Sequence, residues 1–213
     1  DFDLSINDPD LIPLIMDAID SRRGEQWAFK DILTTDRIDE IINDIINGTA
    51  VAVSGGSYKD NGGTASWIIE NASGSQRIIG HVNVPGTVLD QSAYRSEIAG
   101  IYGSVAMIEI IKETLKLKKG SVIIGCDGKN ALERAVLTTR HPLSCYQQHF
   151  DLLSGIQGYI RDSCINYKAK HIKGHQDEEK QIDELDRFAV LNIEVDFYAK
   201  QYWTKKYADM EKL

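Results

Sequence analysis

The sequence predicts an α/β fold, a mixed five-stranded sheet with helices on both faces. Three observations carry that reading. Short apolar runs separated by Gly- and Asn-rich turns fill residues 49–84. A long segment with helical apolar spacing follows. After it, strand-like and helix-like segments alternate, so the order from residue 49 is β-β-β-α-β-α-α-β-α. Three meander strands pair antiparallel, and strands joined through helices pair parallel.

Residues 1–48 read as a helical N-terminal extension or linker. Leu11, Leu14, Ile15, Ala18 and Ile19 mark a short amphipathic helix, which polar Ser21 to Gly24 interrupts. Asp36 stands where it can cap a second helix with Ile38, Ile41, Ile42, Ile45 and Ile46 on one face, and Asn47-Gly48 ends it. Trp27 and Phe29 are expected to anchor this region on the body of the protein.

Residues 49–213 form the main domain. Ala50 to Val53 is the first strand, Asp60-Asn61-Gly62-Gly63 a hairpin turn, and Ala65 to Glu70 the return strand. A turn at Asn71 to Ser75 leads to a third strand, Arg77 to Val84. Ser92 caps a helix whose apolar positions are Ile98, Ile101, Val105, Ile108, Ile111 and Leu115. Gly100 and Gly103 inside it each cost ~1 kcal/mol against Ala, which implies close backbone packing there. Lys118-Lys119-Gly120 closes the helix, and Val122 to Ile124 is a buried strand. Then come a helix from Asn130 to Leu137, an irregular stretch with Pro142, and a helix from Gln147 to Arg161. A strand from Tyr167 to Ile172, a polar loop, and a last helix from Leu185 to Tyr207 complete the chain.

Composition sets limits. Of 213 residues, 42% are apolar and 26% charged, which excludes wholesale disorder. No apolar run approaches the ~20 residues needed to span a bilayer, so a membrane is not an expected partner. Asp1-Phe2-Asp3 carries no basic export signal, and Cys126, Cys145 and Cys164 are odd in number and widely spaced. The expected location is therefore intracellular, in cytoplasm or nucleus, rather than secreted. The 24 Lys+Arg against 32 Asp+Glu leave a net charge of −8, which opposes indiscriminate nucleic-acid binding and leaves room for a local basic track.

Three acids stand where an acid is unexpected. Glu97 lies in the first turn of an apolar helix, Asp127 directly follows a buried strand at its C-terminal end, and Asp196 lies between Val195 and Phe197. Singly, each has a plain reading: a helix-dipole partner, a turn residue, a solvated helix position. Together, clustered carboxylates repel unless cations neutralise them, and hard oxygen ligands suit Mg²⁺ or Mn²⁺. A pair of such ions ~4 Å apart activates water and stabilises the leaving oxygen of a phosphodiester.

Five segments in this order carry a resemblance. They are Val51-Ala-Val-Ser-Gly-Gly-Ser-Tyr-Lys, Tyr94-Arg-Ser-Glu-Ile-Ala-Gly, Ile124-Gly-Cys-Asp-Gly, Ile172-Lys-Gly-His-Gln-Asp and Leu191-Asn-Ile-Glu-Val-Asp-Phe-Tyr-Ala-Lys. Residues 49–203 thereby resemble ribonuclease H domains, in particular those of retroelement (retrotransposon) polyproteins. The resemblance implies an RNase H-like fold with three antiparallel strands followed by parallel ones. It implies an endonuclease that hydrolyses the RNA strand of an RNA–DNA hybrid with two Mg²⁺ ions. On this match Glu97, Asp127 and Asp196 are catalytic metal ligands, and His175 is the loop histidine that assists product release or proton transfer. His171 reads as a plain strand residue. Asp177, Asp183 and Asp186, in the longer loop before the last helix, are expected to be solvated.

The chain departs from the family at the first strand. The family motif there is Asp-Gly-Ser, whereas this chain has Gly55-Gly56-Ser57. Asp60 is no substitute, because at ~3.3 Å per residue it lies well over 10 Å along the strand. The chain is therefore expected to be nearly inactive, through a loss at position 55 or through natural degeneracy.

The resemblance also implies recognition of hybrid geometry through RNA 2′-hydroxyls and DNA phosphates. Candidate contacts are Gly56, Ser57, Asn61, Gln91, Ser92, Tyr94 and Asn130, the last through the start of its helix. Lys112, Lys116, Lys118, Lys119, Lys168, Lys170 and Lys173 form either local basic patches or a solvated face. Thr138 to Phe150, where some family members carry a basic protrusion, has Arg140 and two histidines. Weak hybrid binding follows, with an adjoining reverse transcriptase domain supplying the missing grip. Two other readings share the fold: a non-catalytic nucleic-acid-binding or scaffold module, and a DNA-strand nuclease such as an integrase or resolvase.

Overall fold

In the computed structural model, which describes residues 11–137, 143–178 and 180–208, the chain begins with α1 (Leu11–Ser21), β1 (Lys30–Thr34) and α2 (Asp39–Asn47). Asp1 to Asp3, Arg140 and Pro142 lie outside the described residues. The meander follows as β2 (Ala50–Lys59), β3 (Gly62–Glu70) and β4 (Arg77–Asn83). The long helix α3 (Ala93–Leu115) leads to β5 (Gly120–Cys126), α4 (Lys129–Leu132), α5 (Phe150–Asp162), β6 (Ile165–His171) and α6 (Arg187–Tyr207).

The sheet order is β1-β4-β3-β2-β5-β6. β1 to β2 pair antiparallel through β4 and β3, while β2–β5 and β5–β6 are parallel. Helices cover both faces. This is the RNase H-like α/β arrangement that the sequence implies, with one correction: the sheet has six strands, not five. The sixth, β1, comes from the segment read as helical. Its pattern is concealed because Leu33 is 57% exposed, Asp31 sits at φ 47°, and the register breaks between Lys30 and Leu33. A broken, short strand is how an exposed sheet edge is blunted.

Smaller differences have local causes. Asp36 does not cap α2. The helix starts after Ile38, and the Glu40 N–H donates to Gln76 Oε1 at 2.8 Å instead. Gly48 closes α2 in the left-handed region at φ 79°, as the sequence predicts. The helix expected over 130–137 is present, as the α-turn α4 running on without a break into π-type winding over Glu133–Leu137. Asp186 caps α6 by accepting the Ala189 N–H at 2.8 Å.

Alternation along β2 builds the two layers. Ala50 and Ala52 point into the large core with α3, α5 and the N-terminal helices, and Val51 and Val53 point into a smaller core beneath Leu191 and Val195 of α6. Residues 11–48 belong to the large core through Leu11, Ile15, Ile19, Ile41, Ile42 and Ile45. Trp27 packs against Tyr102 at 4.7 Å, and Phe29 meets Trp67 edge-on at 6.5 Å. The α3 glycines have the expected cause. A Cβ on Gly100 would lie 3.1 Å from Ser54 Cβ, and one on Gly103 only 2.5 Å from Trp67 Nε1. Among the described residues no helix is long and apolar enough to cross a membrane.

Candidate active site

The same alternation sends position 55 toward α6 and position 56 toward α3. Gly56 lets the strand meet the helix backbone, since a Cβ there would lie 2.7 Å from the Glu97 N. The start of α3 is fixed by Ser92, whose hydroxyl accepts the Arg95 N–H at 3.0 Å. Arg95 is itself buried and binds Asp151 of α5 at 2.5 Å. These contacts hold Glu97 over the C-terminal end of β5, where Asp127 emerges one strand over from β2.

Glu97, Cys126 and Asp127 present ligand atoms within 4.8 Å of one another. Asp196 approaches from α6 on the Gly55 side. A Cβ added at Gly55 would lie 2.5 Å from Asp196 Oδ1 and 3.0 Å from Val195 Cγ2. The space that a side chain at 55 would enter is thus occupied by the Asp196 carboxylate. Glycines also close in around Asp127, with a Cβ on Gly174 falling 3.0 Å from its Oδ2.

The donors around these acids are neutral. The Cys126 thiol donates to Glu97 Oε2 at 3.0 Å and accepts the Gly128 N–H at 3.3 Å. Asn192, one turn before Asp196 and 2% exposed, reaches Asp127 Oδ2 at 3.5 Å. Asp127 Oδ1 and Asn192 Oδ1 are buried without a partner among the described residues. The energetic consequence appears in the protonation equilibria. Burial, then repulsion from Asp127 and Asp196, pushes Glu97 up to about 8 against the opposing pull of the thiol. Burial and Asp127 push Asp196 up to about 6, opposed by Lys200 and His175. Burial and neighbouring acids raise the Cys126 thiol well above its usual range, so it remains a neutral donor. Three converging carboxylates with an orphaned oxygen among neutral donors fit a hard divalent cation.

The remaining predicted residues divide. His175 lies in the loop before α6, 71% exposed at φ 53°, with Nδ1 3.6 Å from Glu178 Oε1, and it acts on Asp196 through its charge. Ser57 is half-buried on β2 beyond Gly56, Asn61 is exposed in the hairpin turn, and Asn130 is exposed on α4. Asn130 lies in the first turn of the helical winding that runs from Lys129 to Leu137. Ser92 is engaged as the cap of α3. Gln91 braces the preceding loop by donating to Val84 O at 3.2 Å. Tyr94 packs on His149 at 5.5 Å. Sequence reasoning assigned no role to Cys126, Asn192 or His171, whose Nε2 lies 3.1 Å from Asp127 O. Asn192 was legible in principle, being a polar residue at i−4 from Asp196 beside the buried Leu191 and Val195.

No family model and no curated protein matches the chain. Solved structures do. LC11-RNase H1 in complex with RNA/DNA hybrid is similar at 12% identity and TM-score 0.44, over 64% of this chain and 92% of that one. RNase H1 from the halophilic archaeon Halobacterium salinarum NRC-1 is similar at 13% identity and TM-score 0.40, over 67% and 98%. The N-terminal RNase H domain of Rv2228c from Mycobacterium tuberculosis, fused to maltose-binding protein, is similar at 19% identity and TM-score 0.34, over 58% and 87%.

Proposed function

We propose that this chain is a ribonuclease H domain of retroelement descent, built to hydrolyse the RNA strand of an RNA–DNA hybrid and disabled by glycine at position 55. The observation that carries the reading is the convergence of the half-buried carboxylates Glu97, Asp127 and Asp196, the first two met by neutral donors. Those three side chains are the ones that would hold Mg²⁺, with Mn²⁺ as the alternative. When bound, such ions activate a water and stabilise the leaving oxygen of a phosphodiester. The protein's own part is positioning. Gly56 and the Ser92 cap fix Glu97, Asn192 steadies Asp127, and α6 sets the depth of Asp196. His175, exposed on its loop, is placed to hand over a proton or release product. Ser57 and Asn61 face the RNA sugar edge, and Asn130 faces a phosphate. The net charge of −8 favours a covalent neighbour such as a reverse transcriptase domain for grip. An intracellular location belongs to the same reading.

The test is Gly55→Asp. The backbone at 55 is ordinary strand, and the new carboxylate requires the end of Asp196 to move aside and Val195, 3.0 Å from the added Cβ, to give by a few tenths of an ångström. Metal-dependent cleavage of RNA in a hybrid should rise by at least about 100-fold. Unchanged cleavage with retained hybrid affinity would instead support the second reading, a non-catalytic binding module, which Gly55 itself favours. Cutting of DNA strands would support an integrase- or resolvase-like activity.

A further inference from the structure

The last two turns of α6 face the tip of the β2–β3 hairpin across a cleft of 670 Å³. Trp203 and Tyr207 form its aromatic wall, with ring centroids 5.0 Å apart. The wall is fixed in place, because the Trp203 Nε1–H donates to Gly62 O at 3.0 Å and Gly62 packs directly on the Tyr207 ring. Lys59 Nζ lies 5.1 Å over the Trp203 ring, and Lys206 Nζ 4.9 Å over Tyr207. Val88 and Gln91 line the opposite side. Asp60, 3.8 Å from Lys59, is the acid at the rim, so the lining described carries a net positive charge in a protein of net −8.

The cleft is built on the same two elements as the carboxylate site, β2 and α6. Lys59 follows Gly55 on the same face of β2, and Trp203 and Tyr207 follow Asp196 at i+7 and i+11 on one face of α6. At ~1.5 Å per residue, the seven residues from Asp196 to Trp203 span ~10 Å. That is about three steps of a stacked nucleic-acid strand. Asn61 and Gln91, both candidate contacts from the sequence, line the cleft as well. Aromatic rings under fixed cations are how proteins hold unpaired bases without reading their sequence.

We infer that this cleft is a second nucleic-acid subsite, which takes an unpaired nucleotide of the strand running out of the carboxylate site. The inference rests on the nucleic-acid reading of that site. It assigns Trp203 and Tyr207 to base stacking and Lys59 and Lys206 to the phosphates. A hybrid whose strand continues single-stranded therefore binds more tightly than a blunt one.

The experiment compares hybrids of equal paired length in Mg²⁺, blunt or carrying a six-nucleotide single-stranded extension at either end. Binding is followed by anisotropy and by tryptophan emission. Trp203 is the reporter, since Trp67 is fully buried and Trp27 packs on Tyr102. One extension should tighten binding about 5- to 10-fold, the effect of one stacked base, and should quench emission that the blunt hybrid leaves unchanged. Lys59→Glu with Lys206→Glu should abolish that gain while blunt-hybrid affinity changes less than about twofold. Trp203→Phe should remove the quench. Lys59 is exposed and Lys206 half-buried, neither in the core, so the pair keeps the test valid should a Trp203 variant fail to fold. Equal affinity for extended and blunt hybrids, or a quench that survives Trp203→Phe, overturns the subsite alone. If no hybrid binds but a free single strand quenches Trp203, the cleft stands and the hybrid reading falls.

Discussion

Glu70 is a buried acid and Glu97 a half-buried one, and the protein treats them in opposite ways. Glu70, 2% exposed at the end of β3, accepts from Arg77 Nε and Arg187 Nε at 2.7 Å each. Arg77 goes on to bind Glu194 of α6 at 2.7 Å. Glu109, 1% exposed, is answered by Lys112 and by the Tyr167 hydroxyl at 2.7 Å. Glu97 and Asp127 have a thiol and an amide. Where a buried charge belongs to the frame, the chain supplies its own cation. At Glu97 and Asp127 it supplies neutral donors and leaves Asp127 Oδ1 unpaired among the described residues, an arrangement that could take an external cation. Helix α6 spans both regimes, with Arg187 in its first turn clamping Glu70 and Asp196 further along facing Glu97 and Asp127.

The contrast is broken most severely by removing charge at the site. Asp127→Asn should lower Mg²⁺ affinity by at least about 100-fold, measured by titration calorimetry, since even a supporting residue around a metal is worth 10–100-fold. The same substitution should raise the melting temperature in metal-free buffer, because it relieves repulsion on Glu97 and Asp196. A fall in melting temperature would mean that the trio is structural after all.

The opposite sign is expected at the frame. Glu70→Gln keeps the shape and leaves two guanidinium groups short of a carboxylate, for a loss of about 2–3 kcal/mol. Urea unfolding should show a lower midpoint with an unchanged slope. Equal and opposite shifts for Glu70→Gln and Asp127→Asn would sharpen the distinction, and shifts of the same sign would erase it.

These two regions were not equally legible in the sequence. Glu97, Asp127 and Asp196 stood out because each interrupts an apolar element, and the topology brings them together as expected. Glu70 carried no signal, since its partners Arg77 and Arg187 come from a neighbouring strand and a distant helix. The meander, the α3 glycines and Gly48 were readable from local chemistry that tertiary context does not overturn. β1 was not, because an edge strand with a kink at Asp31 leaves Lys30 and Ile32 half-buried, the rest exposed, and too little alternation to see. The switch from α to π winding after Leu132 also escaped.

A third case lies between the regimes. Glu25 joins the N-terminal segment to α3 and α5. Burial pushes its carboxyl up, but hydrogen bonds from the Tyr102 hydroxyl (2.5 Å), the Tyr159 hydroxyl and Arg22 (3.1 Å) outweigh it and hold it below the usual range. A depressed folded-state value stabilises above the unfolded pKa near ~4.3 and is lost as pH falls through the folded value. Wild-type protein should therefore lose about 1 kcal/mol more than Glu25→Gln between roughly pH 5 and 3, a modest figure because the network reaches solvent. Parallel stability curves for the two proteins would remove Glu25 from the account.

The smallest expected effect bears on the most specific part of the comparison, that the donors at the site are neutral. Cys126 is fully buried, donates a hydrogen bond to Glu97 and accepts one from the Gly128 N–H. A serine hydroxyl can do both, so Cys126→Ser should leave Mg²⁺ affinity within about threefold and stability within about 1 kcal/mol. Cys126→Ala removes the donor to Glu97 and should lower stability in metal-free buffer by a similar small amount, with the difference shrinking as Mg²⁺ is added. If Cys126→Ser instead abolishes cation binding while the fold persists, the sulfur is a ligand rather than a donor. The site would then be a mixed sulfur–oxygen centre suited to a softer ion than Mg²⁺, and the parallel with an all-carboxylate hydrolase would fail at its first coordination contact.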